Sequence, residues 1–402
     1  MPSTVFHRST STAVIQALDE IFNGDRYADK VIEKVLKQNP KWGSRDRRFI
    51  AETTYNIVRW YRLLQELATA PTGGRNSDDY WKIFGAWMHM QNVELPSWPE
   101  FSSMKFDGWK EKLRDAQSIR KIRESIPDWM DNLGEKELGN VWDKEIHALN
   151  EEAKVVLRAN ELKVGRRELQ KVLNDEGVKT ESLSINKDAL ALVQRQNVFQ
   201  LNSFREGLFE VQDGGSQLIA PFLEVEPRMR VVDACAGAGG KTLHLAALMQ
   251  NKGRILAMDT EEWKLDELKK RARRSGAANI ETRTIESSKT IKRLEQSADR
   301  LLLDVPCSGL GVLKRNPDAK WKLSEDFISR IRTTQQQIIS NYSKILKPGG
   351  QMVYSTCSIL PSENEEQVKV FLEGGGFELV EEKKILPSEG FDGFYMARIR
   401  RN

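Results

Sequence analysis

The sequence predicts a mixed α/β protein. Its C-terminal half is a parallel sheet covered by helices on both faces, behind a small α/β module and an all-helical N-terminal segment. Three observations carry that expectation. From about residue 218, apolar runs and amphipathic stretches alternate as strand, helix, strand. The run Val231-Val232-Asp233-Ala234 enters a glycine-rich turn that opens a helix. The next strand, Arg254 to Asp259, ends in an acid.

At about 150 residues per domain, 402 residues make two to three domains. Hydrophobic residues are 39% of the chain and charged residues 30%, enough apolar material for real cores. Cysteine occurs three times, at Cys235, Cys307 and Cys357, which excludes a disulfide framework and a CxxC zinc site. The four histidines show no metal-ligand spacing, so no metal is expected. No apolar run approaches the roughly 18 residues of a membrane span, and the N-terminus lacks a signal pattern. A cytoplasmic protein with reduced thiols is expected. The net charge of +4 permits a nucleic-acid partner without requiring one. Nothing demands an oligomer, and a monomer is expected.

Residues 1–125 read as helices. Ser44 is placed as the N-cap of a long one, along which Ile50, Ile57, Tyr61, Leu64 and Ala68 recur at helical spacing. Pro71-Thr72-Gly73-Gly74 stops it, and a second helix runs from Trp81 to Met90. Six of the ten tryptophans fall in this segment, which points to an aromatic core. Residues 126–215 read as a small α/β module, with a strand at Lys154–Arg158 and a helix from Gly165 to Asn174. Residues 216–402 form the third part. Its helices are placed at Lys241–Met249, Glu261–Ser275 and Ser324–Leu346, the last capped by Lys347-Pro348-Gly349-Gly350. Its further strands are Ile280–Ile285, Arg300–Asp304 and Gln351–Tyr354.

In an open α/β sheet, ligands sit beyond the carboxyl ends of the strands, where strand order reverses. Cys235-Ala236-Gly237-Ala238-Gly239-Gly240-Lys241-Thr242 lies at such an end. Its glycines let a ligand approach the backbone, and the helix behind offers free N–H groups. Asp259 suits a bidentate hold on ribose hydroxyls, so loop and acid together point to an adenosine-containing ligand. A phosphate-binding P-loop would need glycine five positions before Gly240, where Cys235 stands. A dinucleotide fingerprint would need glycine at position 242, which is Thr242.

Asp304-Val305-Pro306-Cys307-Ser308-Gly309 and Ser355-Thr356-Cys357-Ser358 each put a cysteine just past a late strand. If those strands are neighbours, both thiols open into one crevice. One cysteine alone is more often a small buried hydrophobe. Two beside a cofactor loop point to catalysis. Carbon 5 of cytosine is a poor nucleophile, but a thiolate added at carbon 6 makes carbon 5 enamine-like. It can then take a methyl group from a sulfonium donor. That chemistry needs a nucleophilic cysteine, a carboxyl group supporting protonation at N3, and a base for release. The base must also leave its stack.

The stretch from Phe209 to Leu372 resembles the RNA 5-methylcytosine methyltransferases of the bacterial Sun/Fmu type, the RsmB-like family. The resemblance rests on VQDGGSQ (211–217), DACAGAGGKT (233–242), DVPCSGLGVLKRNPDAKW (304–321), LKPGG (346–350) and YSTCSILPSENE (354–365). It implies a Rossmann-like seven-stranded class I methyltransferase sheet using S-adenosylmethionine. It makes Cys357 the nucleophile and has Cys307 assist product release. The residues alone leave that order open, because DNA cytosine methyltransferases carry the nucleophile in a Pro-Cys motif. It places Asp304 against cofactor and cytosine, Lys241 beside both, and Asp259 on the ribose. Cys235, Ala236, Gly237, Ala238, Gly239 and Gly240 line the cofactor. Glu286 stands where the family usually has an aspartate near the adenine, and Gly237-Ala238 replaces the usual Ala-Pro.

Ser44-Arg45-Asp46-Arg47-Arg48 resembles a NusB-like helical RNA-binding domain. Ile126-Pro127-Asp128-Trp129 and Leu157-Arg158-Ala159-Asn160 resemble the family's RRM-like segment. The NusB-like stretch favours 16S rRNA over tRNA as substrate. A non-catalytic RNA-binding assembly factor is the alternative from another class. Lys269 to Arg274, a solvated helix face by default, and Lys314-Arg315 are the candidate phosphate contacts.

Overall fold

The computed structural model describes residues 7–70 and 76–402. They form two compact units. The first comprises the described residues up to Asn150 together with Leu313–Glu325, and the second comprises Glu151–Val312 and Asp326–Asn402.

The first unit is helical. Helices Arg8–Phe22, Ala28–Gln38, Ser44–Arg59, Tyr61–Ala68 and Ser77–Met90 bury Leu18, Ile57, Tyr61, Tyr80 and Phe84 in one core. Phe22 stacks on Tyr61 at a centroid distance of 3.8 Å. The N-cap of the third helix is Gly43, one residue before the predicted Ser44, and its N–H donates to the Asp46 carboxylate at 3.1 Å. The long predicted helix breaks at Trp60, so Tyr61, Leu64 and Ala68 lie on a second helix. The break releases two carbonyls. Trp321 Nε1 donates to Val58 O at 2.8 Å, and Lys320 Nζ donates to Arg59 O at 3.1 Å. The predicted stop at residues 71–74 lies outside the described residues. Helices Trp109–Ser118, Arg120–Arg123, Asp128–Leu138, Trp142–Leu149 and Ala319–Lys322 also belong to this unit.

The second unit opens with a four-stranded antiparallel sheet. Its strands are β1 (Val156–Ala159), β2 (Thr180–Ser182), β3 (Ala189–Leu192) and β4 (Phe209–Val211), in spatial order β2-β3-β1-β4. Helix Arg166–Asp175 follows β1, and the single turn Asn202–Arg205 precedes β4, giving a βαββαβ order. Leu157 and Phe209 pack with Leu169 and Leu173 of the first helix. On the opposite face, Arg158 is buried and donates to Gly240 O at 2.9 Å. All four residues of β1 and of β3 are buried, so the central sheet offers no open face for stacking bases.

The large sheet adds β5 (Arg230–Asp233), β6 (Arg254–Asp259), β7 (Ile280–Thr284), β8 (Ala298–Asp304), β9 (Leu346–Thr356), β10 (Phe377–Ile385) and β11 (Phe394–Arg401). Their order is β10-β11-β9-β8-β5-β6-β7. β5 to β9 pair in parallel, whereas β11 runs antiparallel to both β9 and β10. Both faces are buried, as a mainly parallel sheet requires. Val232, Leu301 and Leu303 face one core with Ile339 and Phe371, while Val231, Leu302 and Val353 face another with Leu245. Strand order reverses between β5 and β8, which opens a crevice at their carboxyl ends.

Candidate active site

The register of β8 and β9 builds the site. Asp304 pairs with Ser355, so the loops beyond start side by side. Cys307 and Cys357 then bring their Sγ atoms to 3.2 Å. The hydrogen bond shared with Cys357, burial, and the Cys357 and Glu363 charges push the Cys307 thiol well above its ordinary range. Lys241 comes from the first turn of helix Gly240–Leu248, and its Nζ lies 2.5 Å from Asp304 Oδ2. Asp304 Oδ1 accepts from Ser355 Oγ at 3.0 Å. Burial alone would weaken the Lys241 ammonium, but the Asp304 and Cys357 charges outweigh it and raise its pKa.

Two glycines shape the loop before that helix. Gly239 caps it at φ +87°, and a Cβ there would lie 2.5 Å from Leu268 Cγ. Only glycine lets the two helices close. Gly237, at φ +53°, faces open space. Asp259 holds the loop from the neighbouring strand. Its Oδ2 accepts from Gly237 N and its Oδ1 from Glu261 N, both at 2.9 Å. A cavity of about 170 Å³ lies here, lined by Gln212, Asp233, Cys235, Gly240, Lys241 and Asp304 among others. Asp233 Oδ2 accepts from Thr242 Oγ1 at 2.7 Å, while its buried Oδ1 has no well-formed hydrogen bond. Burial, opposed by Thr242 and reinforced by Asp304, pushes this carboxyl up to about 7. Burial likewise raises the Cys235 thiol well above its ordinary range.

Residues 220–400 match the family model described as 16S rRNA methyltransferase RsmB/F. Residues 126–199 match the ferredoxin-like domain of the RsmF/B-like methyltransferases. A probable ribosomal RNA small subunit methyltransferase B of Synechocystis sp. is 31% identical over 390 residues, covering 89% of this chain and 87% of that one. The chain belongs to the RsmB/F methyltransferase family. The ribosomal RNA small subunit methyltransferase B of Vibrio cholerae is 35% identical, over 67% of this chain and 64% of its own length. The crystal structure of PH0851 shares the fold, with a TM-score of 0.79 and 23% identity over 99% of this chain and all of that one. The protein is therefore an S-adenosylmethionine-dependent methyltransferase.

The crevice fits that cofactor. S-Adenosylmethionine carries a sulfonium and an ammonium, and the strand ends present three carboxyl groups, Asp233, Asp259 and Asp304. The unpaired Asp233 Oδ1 leaves an acceptor in the cavity, and the space above Gly237 admits a ligand against the backbone. Glu286 lies exposed two residues past β7. The Ile285 amide donates to Asp259 O at 2.9 Å, which keeps this turn beside β6.

Glu363 and Asn364 belong to the YSTCSILPSENE stretch, and the sequence alone assigns them no role. Glu363 is fully buried. It accepts from Ser308 N at 2.8 Å, Gln335 Nε2 at 3.0 Å and Ser358 Oγ at 2.6 Å, and also from Ser308 Oγ. Asn364 Nδ2 donates to Ser358 O at 3.0 Å. The available signal was two polar residues directly after an apolar loop. The basic run on helix Glu262–Ser275 is mostly committed. Arg271 and Arg274 converge on buried Glu210, and Lys269 and Lys270 pair with Asp266 and Glu267. Lys314 is buried, against the expectation of a phosphate contact there.

Proposed function

We propose that this enzyme methylates carbon 5 of a cytosine in 16S rRNA through a covalent cysteine adduct. The observation that carries the reading is the thiol pair 3.2 Å apart beside the Lys241–Asp304 ion pair. The names of the family and of its relatives support the ribosomal substrate. The cofactor, when bound, supplies an electrophilic methyl group. The loop from Cys235 to Gly240 would hold it, with Asp259 on the ribose and Glu286 near the adenine.

Cys357 adds to carbon 6 of the flipped cytosine, and Asp304 supports protonation at N3. Lys241 pairs with Asp304 and holds that carboxyl group in the crevice beside the two thiols. After methylation, a base takes the carbon 5 proton, the carbon 5–carbon 6 double bond re-forms, and the Cys357 sulfur leaves as thiolate. Cys307, whose Sγ lies 3.2 Å from that of Cys357, assists that release. The helical segment, residues 1–125 with its NusB-like resemblance, serves as RNA-binding domain, followed by the α/β segment at 126–215 and the catalytic domain at 216–402. The reading has the enzyme work as a monomer in the cytoplasm.

Covalent trapping tests it. Wild type, Cys307→Ala and Cys357→Ala are incubated with total RNA and methyl-labelled S-adenosylmethionine, then run on a denaturing gel. Cys307→Ala is expected to accumulate a labelled protein–RNA adduct, and Cys357→Ala to give neither adduct nor methylated RNA. An adduct from Cys357→Ala would exchange the two roles. Trapped tRNA would replace the ribosomal substrate. No label from any form, on naked RNA or ribosomal subunits, would leave a non-catalytic assembly factor.

A further inference from the structure

The two reactive cysteines sit on separate loops, and adjacent strands alone do not fix the distance between loop side chains. Each cysteine is followed by a serine, Ser308 after Cys307 and Ser358 after Cys357. Both serine hydroxyls donate to the same oxygen of Glu363, Oε1. The other oxygen accepts the Ser308 amide at 2.8 Å and Gln335 Nε2 at 3.0 Å. Gln335 also donates to Pro306 O at 3.0 Å, one residue before Cys307. Tyr354 donates to the Glu363 carbonyl at 2.8 Å, tying the same residue to β9. Glu363 thus reaches both loops and the helix beneath them, and it is wholly buried.

We propose that Glu363 is a positioning residue that sets the spacing of the two thiols through the serine following each cysteine. The inference rests on the catalytic reading above. Its geometric core, one buried carboxyl group clamping two cysteine loops, holds independently of that reading. A shift of about 1 Å in a reacting group costs on the order of 100-fold in rate, so loosening this clamp acts on the chemical step. The charged and titratable groups that act on the thiol pair are Lys241, itself paired with Asp304, at Cys357, and Glu363 and Tyr354 at Cys307. Removing the Glu363 charge therefore makes Cys307 easier to ionise.

Glu363→Gln keeps the shape and removes the charge. The expected result is a kcat lowered about 10- to 100-fold with an unchanged KM for S-adenosylmethionine. Peptide-resolved iodoacetamide labelling from pH 6 to 10 should show Cys307 modified faster at each pH than in wild type, because its thiolate fraction rises. The Cys235 profile should stay in place. An unchanged kcat and an unchanged Cys307 labelling rate would overturn the proposal. So would a matching loss of thermal stability and cofactor affinity, which marks a merely structural acid. The labelling readout needs no methyl transfer, so an inactive wild type would sink the catalytic reading while leaving this measurement decisive. Should Glu363→Gln fail to fold, Ser358→Ala removes a single donor. It is expected to lower kcat at constant KM, and an unchanged kcat there would equally overturn the clamp.

Discussion

Asp233, at the end of β5, shows how a single residue carries both stability and ligand fit. One oxygen is held by Thr242 and the other is buried without a well-formed bond. Its carboxyl titrates near 7 in the fold, chiefly through burial, against an ordinary value of about 4. The folded state therefore binds more protons than the unfolded chain between those two values. Stability without cofactor falls as pH rises through that window. Asp233→Asn removes the slope. At pH 8 without cofactor, it is expected to be more stable than wild type by a few kcal/mol, and near equal at pH 4. Urea unfolding at the two pH values checks this, and a variant less stable at pH 8 would refute it. The type and place of Asp233, Asp259, Asp304 and both cysteines were legible in the sequence. Their mutual distances were not, because they come from the ends of four separate strands, β5, β6, β8 and β9.

Among the elements, the glycine loop and its helix were read closely from residues, with the observed helix Gly240–Leu248 one residue before the predicted Lys241–Met249. What remained hidden was the function of each glycine. Gly239 is forced by its left-handed backbone and by Leu268, whereas Gly237 meets nothing. Gly239→Ala is expected to cost about 1–3 kcal/mol and to weaken cofactor binding at least tenfold. Gly237→Ala, strained but unobstructed, should cost about 1 kcal/mol. Thermal unfolding with a cofactor titration separates the two. The antiparallel hairpin β10–β11 escaped residue-by-residue reading. β10, Phe377 to Ile385, is almost wholly exposed and rich in charge, as an edge strand is, so it lacks the alternation that marks a half-buried strand. Strand β9 likewise starts at Leu346, the last residue of the predicted helix, and runs through the predicted cap at 347–350, and its pairing with β8 skips residues before resuming at Gln351.

At the scale of the whole chain, Leu313–Glu325 folds with the helical unit, although it follows the Cys307 loop in sequence. Lys320 is fully buried there, and its ammonium reaches Arg59 O, Glu124 O, Ser125 O and Asn150 Oδ1 across more than 160 residues. Burial, reinforced by Arg59, holds its pKa well below the usual lysine range. Lys320→Met leaves these acceptors without their donor and is expected to cost about 2–4 kcal/mol. The unfolded chain takes up the proton that the folded one resists. The wild-type contribution thus grows as pH rises from 7 toward 10, and the variant's deficit should widen with it. Thermal unfolding across that range is the measurement, and a deficit that shrinks with pH would refute it. By itself the sequence determined the α/β class, the strand-end motifs and the S-adenosylmethionine-dependent methyltransferase family. Hydrophobic period and glycine placement are local signals, written within a few residues. Only the tertiary structure decided that β8 and β9 lie side by side, that Glu363 joins the two cysteine loops, and that residues 313–325 belong to the helical core. Those depend on contacts between segments far apart in the chain, which no local pattern encodes.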